Sequence, residues 1–208
     1  MRNGVSAIGI VLGLMLAMIA PTMAQNVLAS GAPPAASGPD YNVSVGYTYL
    51  TMPISSVGSA NLNGVDVAGR IDLKPRFGAT VDTSYVRTSN VLGTGHQGYV
   101  LSFLGGPVFY PFARGRVRTS VHALFGAGLV DGAVPVSDIS FFHGWEERFS
   151  YAIGGDVERT IAGPIAARVS ADFLRTAFFD PSGSIQPQNN FRLTASVVFR
   201  LRDRLHGR

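Results

Sequence analysis

The sequence predicts an all-β fold, an eight-stranded antiparallel up-and-down barrel that spans a membrane. Three observations predict it. Apolar and polar residues alternate with a period of two in eight segments between residues 41 and 201. The connections between these segments are longer and shorter in strict alternation, as antiparallel strands crossing a bilayer require. Only 14% of the residues are charged, whereas about a quarter is usual in soluble domains.

The N-terminal residues have the features of an export signal. Arg2 supplies a positive charge, residues 7–20 are apolar, and small residues flank Met23 where a signal peptidase would read them. We therefore expect residues 1–24 to be a signal peptide cleaved after Ala24. The alternative is an uncleaved anchor, although a spanning helix needs about 20 apolar residues. Residues 25–40, rich in Ala, Gly and Pro, predict a flexible linker.

The first predicted strand starts at Tyr41. Tyr41, Val43 and Val45 share one of its faces, and Asn42 and Ser44 share the other. The same alternation recurs in seven further segments: Leu62–Leu73, Arg76–Arg87, Gly98–Tyr110, Val117–Val130, Arg148–Val157, Pro164–Leu174 and Asn190–Leu201. Such lengths suit a tilted strand crossing a bilayer, which takes about 9–11 residues. The barrel domain is thus predicted over residues 41–201.

The polar faces of these strands predict the inside of the barrel. They carry small residues and a nearly balanced set of acids and bases, and every one of those bases is an arginine. Because the arginine fork can hold carboxylates in a crowded, partly dry space, we expect a polar, largely filled lumen. The predicted lumen charge network comprises Asp66, Asp82, Arg118, His122, Asp156, Arg168, Asp172 and Arg192. Four more charged residues share the same faces: Arg70, Asp72, Arg148 and Arg200.

The connections predict the orientation of the barrel. Short turns are expected at 73–75, 111–116 and 158–163, and longer loops at 52–60, 88–97, 131–147 and 176–189. The turns and both termini would face the periplasm, and the four loops the outside. Aromatic residues near the strand ends suit interfacial girdles: Tyr47, Tyr49, Phe109, Tyr110, Phe141, Phe142, Phe178 and Phe179.

The last strand resembles the C-terminal signal that outer-membrane barrels present to their assembly machinery. Thr194, Ser196, Phe199 and Leu201 follow its spacing of two, with Ser196 in place of a glycine. The resemblance implies that the barrel-assembly machinery is a partner of this strand. Residues 202–208 form a basic tail, for which we expect solvation rather than contact with anionic lipid or cell-wall polymer.

Three further segments carry a wider resemblance: 106–109 (Gly-Pro-Val-Phe), 122–128 (His-Ala-Leu-Phe-Gly-Ala-Gly) and 188–193 (Gln-Asn-Asn-Phe-Arg-Leu). The sequence from Tyr41 to Leu201 resembles small porin-like outer-membrane β-barrel proteins of the OmpA/OmpX type. This resemblance implies an outer-membrane location with the bilayer as partner, and it implies no particular activity.

Few residues suggest chemistry. Ser120 and His122 share a strand face, as in outer-membrane lipid A hydrolases, but their parity points into the lumen, away from an acyl substrate. His96 and His143 lie in predicted loops without metal-ligand spacing. The sequence has no phosphate-binding loop and no stretch suited to nucleic acid. We expect no enzyme activity, no metal and no cofactor.

The expected role is therefore structural or interactional, with contacts made through the loops. Three alternatives stay open at this point: a small porin-like channel, a membrane-embedded lipid A hydrolase, and a soluble lipocalin-like ligand binder. The last of these would turn the apolar faces inward.

Overall fold

The computed structural model describes residues 40–54, 58–74, 76–93, 95–132, 134–137, 140–142, 145–179 and 185–201. The predicted signal peptide, the linker up to residue 39 and the basic tail lie outside these residues, as does His143. Within the described part of the chain, no helix is both long and apolar enough to span a bilayer.

Eight long strands close into one antiparallel barrel, which confirms the predicted fold class. A two-stranded hairpin, β6–β7, lies between β5 and β8 in the chain and pairs only with itself. The strands are β1 (Asp40–Ile54), β2 (Gly58–Lys74), β3 (Phe77–Thr88), β4 (Gly98–Arg114), β5 (Val117–Gly132), β6 (Val134–Ser137), β7 (Ser140–Phe142), β8 (Trp145–Ala162), β9 (Ile165–Phe179) and β10 (Ile185–Leu201). A 3₁₀ helix, Val91–Gly93, lies between β3 and β4.

Each barrel strand pairs with its neighbour in the chain, β5 pairs with β8 across the hairpin, and β1 pairs with β10. The β1–β10 register runs from Tyr41 opposite Leu201 to Thr51 opposite Phe191. This seam leaves neither terminal strand with a free edge, and a free edge in hydrocarbon would cost several kcal/mol per unpaired backbone group. We call the end with the β2–β3, β4–β5 and β8–β9 turns the turn end, and the opposite end the loop end.

Seven of the eight barrel strands are longer than the sequence predicted, and β3 keeps its predicted length of 12 residues. Residues 111–114 and 158–162, predicted as turns, belong to β4 and β8. In the first predicted loop, β1 extends to Ile54 and β2 begins at Gly58. Strand β4 passes Pro111 because the β4–β5 register shifts between Phe109 and Phe112, and a bulge accommodates proline. Gly115 and Gly163, with positive φ angles of 61° and 51°, make the short turns after these strands.

The outer wall is apolar, as the parity of the strands predicted. Phe149 is 68% exposed and Tyr47 58% exposed, although both are large and apolar in body. Many other aliphatic and aromatic residues share this wall, among them Val45, Val67, Phe125, Val169, Phe191 and Val197. An apolar surface of this size is unfavourable in water and is normally buried against a partner or a membrane. For a closed barrel with an apolar outer band, the hydrocarbon of a bilayer buries it.

Candidate functional site in the barrel interior

The half of the interior nearer the turn end holds a continuous chain of ion pairs. Its links join five carboxylates, five guanidinium groups and one imidazole. The members are Asp72, Asp82, Asp156, Glu158, Asp172, Arg70, Arg118, Arg168, Arg192, Arg200 and His122. We call this set the ion-pair chain. Its acids and arginines match in number, so the charges taken from water are compensated.

Two of the arginines bridge the lumen from side to side. Arg70 on β2 reaches Asp156 on β8 at 2.8 Å, and these strands are diametrically opposite in the barrel order. Arg192 on β10 binds Asp82 on β3 at 2.7 Å and Asp172 on β9 at 2.7 Å. Arg192 is only 2% exposed. The centre of the lumen is therefore occupied by side chains.

Ser120 and His122 lie inside the barrel and use different acceptors. The Ser120 hydroxyl donates to Asp156 at 2.7 Å. The His122 Nε2 atom lies 2.8 Å from Asp172, and its Nδ1 atom has no hydrogen-bond partner among the described residues. No hydrogen bond joins Ser120 to His122 in this part of the chain, so the described geometry lacks the nucleophile–base contact of a hydrolase.

Glu158 contacts three arginines of the ion-pair chain, and the sequence pattern did not predict it as an interior residue. Its carboxylate accepts from Arg168 at 2.7 Å and also from Arg200, and Arg118 lies 3.8 Å away. The side chain is 1% exposed. Glu158 was assigned to a turn because the predicted strand ended at Val157. Its even number, shared with Asp156 and Ser150, was the signal that could have placed it inside.

Tyr110 also lies inside, so its predicted place in an interfacial girdle is wrong. It is 2% exposed, and its hydroxyl donates to Asp72. The guanidinium of Arg118 lies over the Tyr110 ring, 4.2 Å from the centroid, and also binds Asp72 at 2.7 Å. The ring thus closes the turn end of the ion-pair chain with a cation–π contact.

The half of the interior nearer the loop end is mixed. Buried polar side chains on β8, β9 and β10, among them Ser150, Thr176 and Asn190, lie beside an apolar layer that the prediction of a polar lumen did not include. Ten buried residues form this apolar layer: Leu50, Met52, Ala60, Leu62, Val86, Val100, Leu104, Leu124, Ala152 and Leu174. They share strand faces with polar residues, as Leu50 does with Thr48 and Leu124 with His122. On β1 to β5 the layer lies between the ion-pair chain and the loop end, whereas on β8, β9 and β10 buried polar side chains continue toward that end.

The lumen contains little free space at the ion-pair chain. A cavity of about 20 Å³ lies among residues that include Ser44, Asp66, His122 and Arg168, and this volume holds about one water molecule. Asp66 is 4% exposed, and its Oδ2 atom has no hydrogen-bond partner among the described residues. A single water in this cavity is suited to such a group.

All eight residues of the predicted network face the interior. Seven belong to the ion-pair chain, and Asp66 lines the small cavity beside it. In the predicted assembly signal, Thr194 and Ser196 are buried, whereas Phe199 and Leu201 are exposed on the outer wall. His96 lies between the 3₁₀ helix and β4, and the described residues hold no cluster of metal ligands.

Several solved structures share this fold. Neisserial surface protein A, NspA, matches with a TM-score of 0.62 at 10% identity over 79% of this chain and 99% of its own. Ail, the attachment invasion locus protein of Yersinia pestis solved with the heparin analogue sucrose octasulfate, gives 0.55 at 16% identity over 79% and 99%. The outer membrane protein OprG from Pseudomonas aeruginosa gives 0.50 at 6% identity over 80% and 97%.

These likenesses confirm the predicted barrel of the small outer-membrane type. At such low identity they show the fold and not the role. The apolar outer wall and this fold agree with the predicted outer-membrane location. No family profile matches the chain, and no curated protein matches it.

Proposed function

We propose that this protein is an integral outer-membrane protein with a structural or surface-contact role, whose barrel does not conduct solutes. The observation that carries the proposal is the filled lumen: Arg70 and Arg192 bridge it, and the apolar layer lies above them. Eight strands leave an interior just wide enough for side chains. What remains available for interaction is the surface, above all the loop end.

The arrangement gives less support to the three alternatives. A channel needs a continuous wet path, whereas Arg70 and Arg192 cross the lumen and the cavity beside them measures only about 20 Å³. A lipid A hydrolase needs its nucleophile on the lipid side, whereas Ser120 is 3% exposed inside the barrel. A lipocalin-like carrier needs an apolar cavity and a polar outside, and here the apolar wall faces outward.

A surface-contact role has support at the loop end. The β5–β8 connection is long enough to contain the hairpin β6–β7. Two proteins of the same fold are named for surface exposure and for attachment, namely NspA and Ail. These names describe those proteins, and for this chain they favour loop-mediated contact over transport.

Planar-bilayer recording tests the non-conducting barrel. We expect no stable conductance steps from the wild type once heat-dependent gel mobility shows that it is folded, because the bridging side chains of Arg70 and Arg192 block the path. A variant with Arg70→Ala, Arg192→Ala, Leu50→Ala and Leu104→Ala is the matched control where the same gel assay shows it folded, since these substitutions remove the bridges and part of the apolar layer. Large, stable steps from the wild type would overturn the proposal.

A further inference from the structure

Three exposed arginines lie together on the barrel at the turn end. Arg114 ends β4, Arg116 lies in the β4–β5 turn, and Arg159 lies near the end of β8. Val117 stands between two of them, opposite Arg114 on one side and Arg159 on the other. With strands about 4.8 Å apart, the Cα atoms of Arg114 and Arg159 are about 10 Å apart. The Thr160 N–H donates to the Arg116 carbonyl at 2.8 Å, so the backbone of Arg116 lies beside β8.

We call these residues the arginine triad, and within the described residues they have no acidic partner. None of the three takes part in an ion pair or a side-chain hydrogen bond there. Glu158 and Asp72, the acids on β8 and β2 at this end, belong to the ion-pair chain inside. The exposed Asp40 lies on β1, and β2 and β3 separate it from β4. The triad therefore presents uncompensated positive charge to its surroundings.

The surroundings of the triad are apolar on the lipid side. Arg159 lies between Val157 and Ile161 on the outer face of β8, and these two are 52% and 58% exposed. Phe112, two residues before Arg114, is 50% exposed. An arginine at such a position extends its guanidinium along the wall toward the headgroup layer. The triad thus lies where acyl chains meet lipid phosphates.

We propose that the arginine triad binds the phosphate of an anionic phospholipid, of the phosphatidylglycerol type, in the leaflet at the turn end. Guanidinium forks match phosphate oxygens bidentately. The adjacent wall at Phe112 and Val157 contacts the acyl chains of the same molecule, which favours a lipid over free phosphate. This inference rests on the proposed function, because it requires the barrel to stand in a bilayer.

A tryptophan between the arginines reports on the lipid at that place. The reporter is the full chain with two substitutions. Val117→Trp places a tryptophan between Arg114 and Arg159, and Trp145→Phe removes the only native tryptophan. The reporter is reconstituted in phosphatidylcholine vesicles containing brominated phosphatidylglycerol or brominated phosphatidylcholine with the same acyl chains. Quenching then gives the relative association of the two lipids with the site.

We expect phosphatidylglycerol to be favoured roughly fivefold at low salt, since basic residues attract anionic lipid at a membrane surface. The preference should fall to about one in a reporter that also carries Arg114→Gln, Arg116→Gln and Arg159→Gln, and it should weaken at high salt. The matched control is Arg87→Gln with Arg175→Gln, two outward arginines at the loop end, which should leave the preference unchanged.

Two failures are distinguishable. If brominated phosphatidylcholine does not quench the reporter at all, the barrel is not in the bilayer and the proposed function fails with the inference. If both lipids quench equally, or if the triple variant keeps the preference, the membrane location stands and the triad has no role in lipid selection.

Discussion

At the scale of single residues, the interior depends on carboxylates that hold more than one partner. Glu158 accepts from Arg168 and Arg200, and Asp172 contacts both His122 and Arg192. A buried pair adds little net stability over an apolar pair of the same shape, whereas removing one partner leaves a charge stranded. Removing one member of the ion-pair chain should therefore cost more free energy of unfolding than the intact pairs contribute to it.

Glu158→Ala should lower the free energy of unfolding by about 3–5 kcal/mol, because Arg168 would stay buried without its main acceptor. Urea titration of the barrel in lipid vesicles, followed by tryptophan fluorescence, measures the change. Glu147→Ala is the control, since that carboxylate is exposed on the same strand, and it should change the value by less than about 0.5 kcal/mol. Equal effects of the two substitutions would contradict the role given to Glu158.

At the scale of strands, close approach between neighbours in the wall requires glycine at particular inward positions. A Cβ atom at Gly106 would lie 2.0 Å from the Ala123 carbonyl oxygen, and one at Gly126 would lie 1.9 Å from the Phe103 carbonyl oxygen. Both obstacles are backbone atoms, which cannot rotate away. At Gly69, on the outer face, a Cβ atom would meet nothing within 4 Å.

These two environments predict opposite results for one substitution. Gly106→Ala should destabilise the barrel by about 1–3 kcal/mol, since strands β4 and β5 must move apart. Gly69→Ala should be neutral or stabilising by up to about 1 kcal/mol, because it restricts only the unfolded chain. Unfolding in vesicles compares the two. A neutral Gly106→Ala would show that the wall is looser than its geometry indicates.

The strands were predictable because a period of two survives even where composition varies. Their ends were not, since hydrogen bonding continues past the residues that meet lipid and past Pro111. Tyr110 and Glu158 were misplaced for this reason: each was judged by its distance from an assumed strand end.

The apolar layer was missed because Leu50 and Leu174 look like wall residues until parity is followed to the strand terminus. The pairing of Arg70 with Asp156 depends on the barrel order, which no local pattern contains.

At the scale of the whole molecule, the barrel has an apolar outside and a charged inner half. This arrangement is the inverse of that in a soluble domain. The outer face of every strand meets hydrocarbon, and the inner face meets the side chains that fill the lumen. Residues on the outer wall should consequently tolerate charge according to their depth in the bilayer rather than their exposure.

Two isoleucines on the outer face of β8 test this dependence. Ile153 and Ile161 are 56% and 58% exposed, but Ile153 lies near the middle of the strand and Ile161 at its end. Ile153→Arg should cost about 2–4 kcal/mol and Ile161→Arg about 0–1 kcal/mol in vesicle unfolding measurements. Small and equal costs would mean that water, not hydrocarbon, surrounds this wall.

The ion pair between Arg70 and Asp156 also has a consequence for how the barrel folds. Its ends are 86 residues apart in the chain, and the bond from Arg168 to Asn42 joins residues 126 apart. A half-built sheet that lacks the far strands would therefore leave Arg70 without Asp156 and Arg168 without Asn42. Contacts between residues so far apart in the chain slow folding in general, so we expect these pairs to form only when the barrel closes.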